Sequence, residues 1–500
     1  MGSAIDSLRE NLGAISDLDR ARGLMAWDER TQMPPGGAEP RADGLATLAR
    51  IHHERLTADE LGSQLDAAAA EIDGMPYESM EASLVRVTRR EWEKARRVPA
   101  DLRADITRTT SVAERAWVTA REESDFKAFL PHLQRVLKLS RQYVECFAPY
   151  DHVYDPLLDD FEPGMTTATL VPLLAELRDG LGPILERVAQ APQLDDSPLR
   201  GSFDVPAQRA LALALVEGLP LNEGEWRLDD TVHPFASAIA PSDIRITTRY
   251  DEDYLGTSLY SVLHEAGHGM YENGMPAELR RTPLQGGASL GFHESQSRLW
   301  ENWVGRGRPY LRWALPMLKE HFGASLDGVD PEALYRAANR VEPSLIRVEA
   351  DELTYNLHIA LRFELEVEIF EDRLDLADLP EAWNERMERY LGVKVPDDAH
   401  GVLQDVHWGA GAFGYFPTYS LGNVIAGQLW AAAVEALPDL EEGFERGELQ
   451  PLNTWLRESL YRYGSCFEPL ELIERVVGGP LDVGPLVAHL DAKFGELYSD

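Results

Sequence analysis

One run of five residues, His264-Glu265-Ala266-Gly267-His268, has the residue types and spacing to hold a metal ion. On a helix, positions i and i+4 lie one turn apart on one face, so both imidazoles can aim a ring nitrogen at a common point. Glu265 lies about 100° further round. It is badly placed to ligate the same ion but can reach a water held on it. A carboxylate there can take the water's proton and later pass it to a leaving amine. The ion lowers the water's pKa to about 7 and polarises a carbonyl. H-E-x-x-H is thus the pattern of a zinc-type hydrolase of amide bonds. The competing reading is a pair of satisfied histidines on a core helix. Gly267 and Gly269 argue against it, since each costs about 1 kcal/mol relative to Ala inside a helix. Close approach of another backbone or of a ligand would account for that cost.

A catalytic zinc site needs a third protein ligand and one open position. The metzincin extension would place Gly at 271 and His at 274, but the chain has Tyr271 and Gly274, which excludes that class. Downstream, in Gly291-Phe292-His293-Glu294-Ser295-Gln296-Ser297, Glu294 opens an amphipathic run through Leu299, Trp300 and Trp303. A Glu from a second helix packed across the first completes a His-His-Glu set. His293 is the rival ligand, and adjacent residues point to different faces, so the two do not readily bind together. Without the histidine pair, Glu294 would read as a solvated carboxylate at a helix start.

Other blocks make a resemblance specific: His233-Pro234-Phe235, Asp243-Ile244-Arg245-Ile246-Thr247, His293-Glu294-Ser295-Gln296, Ile346-Arg347-Val348-Glu349-Ala350-Asp351 and Gly401-Val402-Leu403-Gln404-Asp405-Val406-His407-Trp408, with Trp27-Asp28 and Met33-Pro34 near the N-terminus. With 264–268, these resemble the carboxypeptidase Taq family of metallocarboxypeptidases over essentially the whole chain. The resemblance implies a mainly α, two-lobed fold with a deep cleft and a small β-sheet near the active site, similar to the neurolysin and angiotensin-converting-enzyme peptidases. It implies a homodimer, zinc or cobalt at the site, and broad removal of single C-terminal residues. Carried over by position, His264, His268 and Glu294 are the ligands and Glu265 the general base.

An exopeptidase must recognise a free carboxylate, which a guanidinium does by paired, charge-assisted hydrogen bonds. Arg347 is the first candidate and Arg245 the second, each weighed against a plain salt bridge with Asp351 or Asp243. The oxyanion of the tetrahedral intermediate needs donors besides the metal. His407 and Tyr419 are candidates, with Tyr415 a third, weighed against simple aromatic packing. The His407-to-Tyr419 spacing resembles that of the intermediate-stabilising pair in neurolysin-like peptidases, and Gly409-Ala410-Gly411-Ala412 would form a mobile, close-packed loop between them. His233 either donates to substrate backbone or packs under the site, and Asp405 could orient a ligand histidine. A zinc oligopeptidase on the same fold and a non-catalytic metal-binding protein are the competing functions, and the retained Glu265 argues against the latter.

The elements that position these residues read as helices almost throughout. Amphipathic patterns cover 4–30, 43–72, 78–97, 101–123, 126–149, 167–191, 206–217, 256–273, 288–322, 331–341, 349–376, 380–391, 421–437, 441–447, 451–463 and 468–477. Residues 244–250 alternate and are rich in β-branched side chains, a strand, while 403–419 reads as a structured loop with room for a short strand. Turn clusters occur at 33–37, 162–164 and 477–480, none long enough for a flexible linker. One domain over 1–500 is therefore expected.

Composition narrows the partners. The 500 residues carry a formal charge of −37, with 85 acidic against 48 basic residues, so nucleic acid and anionic membrane are repelled. Lysine occurs only at 94, 127, 138, 319, 394 and 493. Cys146 and Cys466 suit two reduced thiols rather than a disulfide framework. The start of the chain lacks a basic and apolar leader, and the most apolar stretch, 424–437, is interrupted by Gln428 and Glu435. A soluble cytoplasmic protein acting on peptides is expected.

Overall fold

Long runs of Leu, Ala, Arg and Glu at helical spacing fold into helices linked by short turns, described over residues 3–499 in this computed structural model. The chain forms two units. One gathers the residues up to Arg96 with Asp196–Ala338 and Leu429–Gly479. The other gathers Arg97–Asp195, Asn339–Gln428 and the residues from Pro480 onward.

The first unit begins with helix Ala4–Thr31, whose first turn is closed by a reciprocal Ser3–Asp6 capping box. The continuous helix expected over 43–72 is two, Ala38–Leu56 and Asp59–Glu71. At the break, Thr57 turns its hydroxyl back onto the His53 carbonyl at 2.7 Å, and Trp92 donates to the Ala58 carbonyl at 3.1 Å. Side chains thus satisfy groups that the helix ladder leaves open.

The strand expected over 244–250 is β3 (Asp243–Thr248). It is the centre of a sheet whose other strands the sequence did not announce, β1 (Trp226–Asp230) and β2 (Ala236–Ala240). β1 runs parallel to β3 and β2 antiparallel, in the order β1-β3-β2, with Trp226 opposite Ile244 and Ala236 opposite Ile246. Ile244 and Ile246 are fully buried and face helix Gly256–Asn273, while Arg245 points to the other face, as period-2 alternation demands.

The run expected over 288–322 is helix Leu290–Arg298, a π-helical turn Leu299–Gly305, and helix Arg308–Phe322 after Gly307. π-turns are uncommon and concentrate at functional sites.

In the second unit, helix Tyr355–Phe370 is buried on every side, which explains its weak amphipathicity. It is shorter than the 349–376 expected. The 403–419 stretch is a series of turns leading into helix Pro417–Ala436, with no strand among the described residues. A terminal helix, Gly484–Leu497, went unrecognised in the sequence. Cys146 and Cys466 are free thiols. No described helix is long and apolar enough to cross a membrane.

Candidate active site

Helix Gly256–Asn273 carries His264, Glu265 and His268, and the two glycines within it have separate causes. A Cβ on Gly267 would lie 2.6 Å from the Gln296 carbonyl oxygen and 2.7 Å from the Ser297 Cα. Helix Leu290–Arg298 therefore crosses backbone against backbone at that point, which brings Glu294 over the histidine face. A Cβ on Gly269 would meet Ile244 of β3 at 2.8 Å, so the sheet presses on the same helix from another side. Gly305 serves the π-turn alike, where a Cβ would meet Leu263 at 2.5 Å.

The crossing aims three atoms at one point. Glu294 Oε2 lies 3.7 Å from His264 Nε2 and 3.6 Å from His268 Nε2, and the group converges within 4.8 Å. These separations are too long for hydrogen bonds. They come close to the spacing of two ligands on a tetrahedral ion, roughly 3.3–3.6 Å for bonds of about 2.0–2.2 Å. The other oxygen of Glu294 accepts from Arg298 Nε at 2.7 Å, and Ser297 Oγ sits 3.2 Å from Oε2. Both rings are held from behind. His264 Nδ1 is 2.8 Å from Glu301 Oε2, and Arg298 and Arg306 hold Glu301 in turn. His268 Nδ1 is 2.7 Å from His293 Nδ1, whose Nε2 is 3.0 Å from Glu272 Oε1. His293, the rival ligand in the sequence, thus stands behind His268 and outside the converging group.

The charges suit a divalent cation. Glu265, Glu272, Glu294 and Glu301 are all buried, and Arg298 and Arg306 pair with Glu294 and Glu301, a concentration of acidic groups that a bound cation offsets. Burial pushes Glu265 up to about 7; His264 opposes this, and Glu294 and Glu301 add to it. That value suits a general base at neutral pH. Glu301 is displaced the other way: burial alone would raise it, but Arg298, His264 and Arg306 hold it far below the carboxylate range.

A second cluster lies in the other unit, centred on Asp405. Its Oδ1 accepts from Arg347 Nε at 3.0 Å and Nη2 at 2.8 Å, and its Oδ2 from Arg362 Nε at 2.8 Å. Gln404 Oε1 accepts from Arg362 Nη2 at 2.8 Å and from the Arg347 backbone N–H at 3.0 Å. Two guanidiniums share one carboxylate, so these residues carry surplus positive charge. Asp351, weighed as the Arg347 partner, instead ties its own loop by accepting from the Leu353 and Thr354 backbone and the Thr354 hydroxyl. Asp405 meets Arg347, Arg362 and His407 rather than His264 or His268, and Glu301 is the carboxylate on His264.

His407 Nδ1 is 3.8 Å from Asp405, and its Nε2 is 3.3 Å from the Tyr419 hydroxyl. Burial lowers His407 to about 4; Asp405 opposes this, and Arg347 and Arg362 reinforce it, so the ring is neutral at pH 7. The Tyr415 ring packs edge-on against Phe161 at 5.1 Å and lies 5.2 Å from His407 and 5.3 Å from Tyr419. The intervening loop is pinned at Gly414, where φ is +90° and a Cβ would strike the Leu157 backbone at 2.5 Å, in keeping with the close packing expected of this segment.

Arg245 pairs with Asp243 and lies over the Trp27 indole at 4.7 Å, with its register neighbour Arg227 over the same ring at 5.0 Å. His233 is exposed, so of its two readings packing beneath the site is excluded.

Sequence reasoning missed Glu301, Glu272 and Arg362. Glu301 is seven residues beyond Glu294, two helical turns on, and Glu272 is one turn beyond His268. Both spacings were legible as same-face positions. Arg362 carried no such signal, because its partner is 43 residues away.

The model of the carboxypeptidase Taq (M32) metallopeptidases matches residues 7–494. Thermostable carboxypeptidase 1 of Thermus thermophilus is 45% identical over 489 residues, 95% of each chain. Carboxypeptidase 1 of Bacillus subtilis is 37% identical over 488 residues, 97% of each. The crystal structure of the M32 carboxypeptidase from Deinococcus radiodurans superposes with a TM-score of 0.96 at 40% identity over 99% of both chains. Metallocarboxypeptidase 1 of Trypanosoma cruzi gives 0.94 at 31% identity, again over 99% of both. The chain belongs to the carboxypeptidase Taq (M32) metallopeptidase family, and its activity is that of a metal-dependent carboxypeptidase.

Proposed function

We propose that the enzyme removes single residues from peptide C-termini with zinc, or cobalt in its place, held by His264, His268 and Glu294. The observation that carries the ligand set is the convergence of Glu294 Oε2 with both Nε2 atoms while each opposite ring nitrogen is hydrogen-bonded. Two imidazoles and a carboxylate that leave a position open suit a catalytic zinc site, and cobalt shares the ligands. Bound there, a divalent ion polarises a carbonyl and lowers the pKa of water to about 7.

The chain's own residues do the rest. Glu265 takes the proton of the attacking water on its carboxylate and returns it to the leaving amine. His407 donates from Nε2 to the Tyr419 oxygen, which frees the Tyr419 hydroxyl proton to stabilise the oxyanion. Tyr415 buttresses that pair. Arg347 answers the substrate's terminal carboxylate with the surplus positive charge of its cluster. Arg245 and His233 line the peptide's path. The same proposal takes the chain as one catalytic domain acting as a cytoplasmic homodimer, as the family resemblance implies. The charge of −37 supports the exclusion of nucleic acid and anionic membrane.

The test is a mass-resolved time course on an unblocked peptide and its C-terminally amidated twin, with and without chelator. Stepwise loss of single residues from the free peptide, none from the amide, and none after chelation are expected. Internal fragments from both peptides would replace this reading with an endopeptidase. Glu265→Gln should abolish turnover while leaving metal content intact; a fully active variant refutes its role as base.

A further inference from the structure

We propose that His293 and Glu272 form a two-link hydrogen-bond chain that fixes the tautomer and the aim of His268, which makes both of them positioning residues for the metal. The proposal rests on the reading of His264, His268 and Glu294 as ligands. Glu272 lies one turn beyond His268, so His264, His268 and Glu272 share a helix face at i, i+4 and i+8. His293 reaches that face from the crossing helix, immediately before Glu294.

The proton assignment follows from which atoms can only accept. A carboxylate has no proton to give. With Glu272 Oε1 3.0 Å from His293 Nε2, a neutral His293 therefore keeps its proton on Nε2 and presents a lone pair at Nδ1. That lone pair lies 2.7 Å from His268 Nδ1, which must donate. The remaining lone pair of His268 is then on Nε2, the atom facing Glu294 Oε2 at 3.6 Å. Glu301 achieves the same for His264 in a single step. The two ligand histidines are thus set by different devices, one a direct carboxylate and the other a carboxylate acting through an imidazole.

The relay ring is itself fixed. Its centroid is 4.8 Å from that of His268 and 5.4 Å from that of Tyr271. Gly287 leaves room for it, since a Cβ there would lie 2.9 Å from Tyr271 and 3.1 Å from His293.

The test is the equilibrium affinity of the full-length protein for Zn2+, measured against a competing chromophoric chelator. His293→Leu removes the acceptor and should weaken binding about 10- to 100-fold, the usual cost of losing such a partner. His293→Asn places an amide oxygen close to the position of Nδ1 and should restore part of that loss. Glu272→Gln should weaken binding in the wild-type background by roughly 3- to 10-fold and clearly less in the His293→Asn background, where the link is already cut. His293→Leu within twofold of wild type, or an equal Glu272→Gln effect in both backgrounds, overturns the proposal. If His293→Leu does not fold, as judged by circular dichroism of the metal-free protein, the Asn and Gln variants carry the same comparison. His268→Ala separates the two readings: unchanged affinity there refutes the ligand set itself, whereas failure of the relay alone leaves that set standing.

Discussion

Asp405→Asn is the sharpest perturbation available, because it removes one charge from a cluster that already has too few negative ones. The side chains of Arg347, Arg362 and Asp405 are 7%, 0% and 11% exposed, so water cannot substitute for the lost carboxylate. Asn keeps one acceptor but turns an amide N–H2 toward a guanidinium. Breaking a buried pair by removing one partner costs about 3–5 kcal/mol. The chain has 500 residues, and the melting-temperature shift per kcal/mol shrinks with size, to about 1–2 °C here. A fall of about 3–10 °C is expected in calorimetry or circular dichroism. Arg362→Met should cost far less, because it leaves Arg347 and Asp405 as a neutral pair. The pH dependence has a definite sign. Burial alone would raise Asp405, but Arg362 and Arg347 hold it far below its ordinary value. Its stabilisation is therefore present above the unfolded pKa of about 4 and is lost as pH falls through the folded one. The gap between wild type and Asp405→Asn should stay flat from pH 8 to 5 and close only in acid. A variant melting within 2 °C of wild type at pH 7 refutes the account of the cluster.

Gly267→Ala should force the two metal-site helices apart, since the Gln296 and Ser297 backbone cannot yield. Overpacking of this kind costs about 1–3 kcal/mol, and metal content by atomic emission should fall with it; Gly269→Ala, against the Ile244 methyl, should be milder. Glu301→Gln, which removes the charge behind His264, should weaken metal affinity about 10- to 100-fold in a chelator competition. Burial pushes Glu366 up to about 7, against donors on Tyr154, Gly414 and Trp408 and the charge of Arg362. A raised carboxyl is stabilising below its unfolded pKa and loses that contribution as pH rises through the folded one. Wild type should therefore lose stability relative to Glu366→Gln between pH 5 and 8, by up to about 3 kcal/mol, read from denaturant unfolding; a pH-independent difference refutes the assignment.

The candidate metal site was legible because its parts are local. Two histidines four apart need only a helix to converge, and the helix was readable from periodicity over 256–273. The glycines at 267 and 269 announced a close approach of a backbone or a ligand, which at 267 is the Gln296–Ser297 backbone. Glu294 followed as the first carboxylate on the next helix. By contrast, β1 and β2 were invisible: five-residue segments of ordinary composition become strands only when β3 supplies the ladder. The breaks at Thr57 and Gly307 were equally hidden, because a continuous apolar stripe can be carried by one helix or by two.

What the sequence determined by itself was the kind of chemistry, since spacing along a helix is a one-dimensional quantity. What the tertiary structure alone decided was which nitrogen of each imidazole faces inward and which carboxylate each arginine meets. Arg347 finds Asp405, 58 residues on, rather than Asp351, four away. His268 Nδ1 meets the ring of His293, which had read as the rival of Glu294 for the metal. Both choices depend on hydrogen bonds that close only once distant segments pack and exclude water, and the energy of such a bond depends on the packed surroundings rather than on the order of residues in the chain.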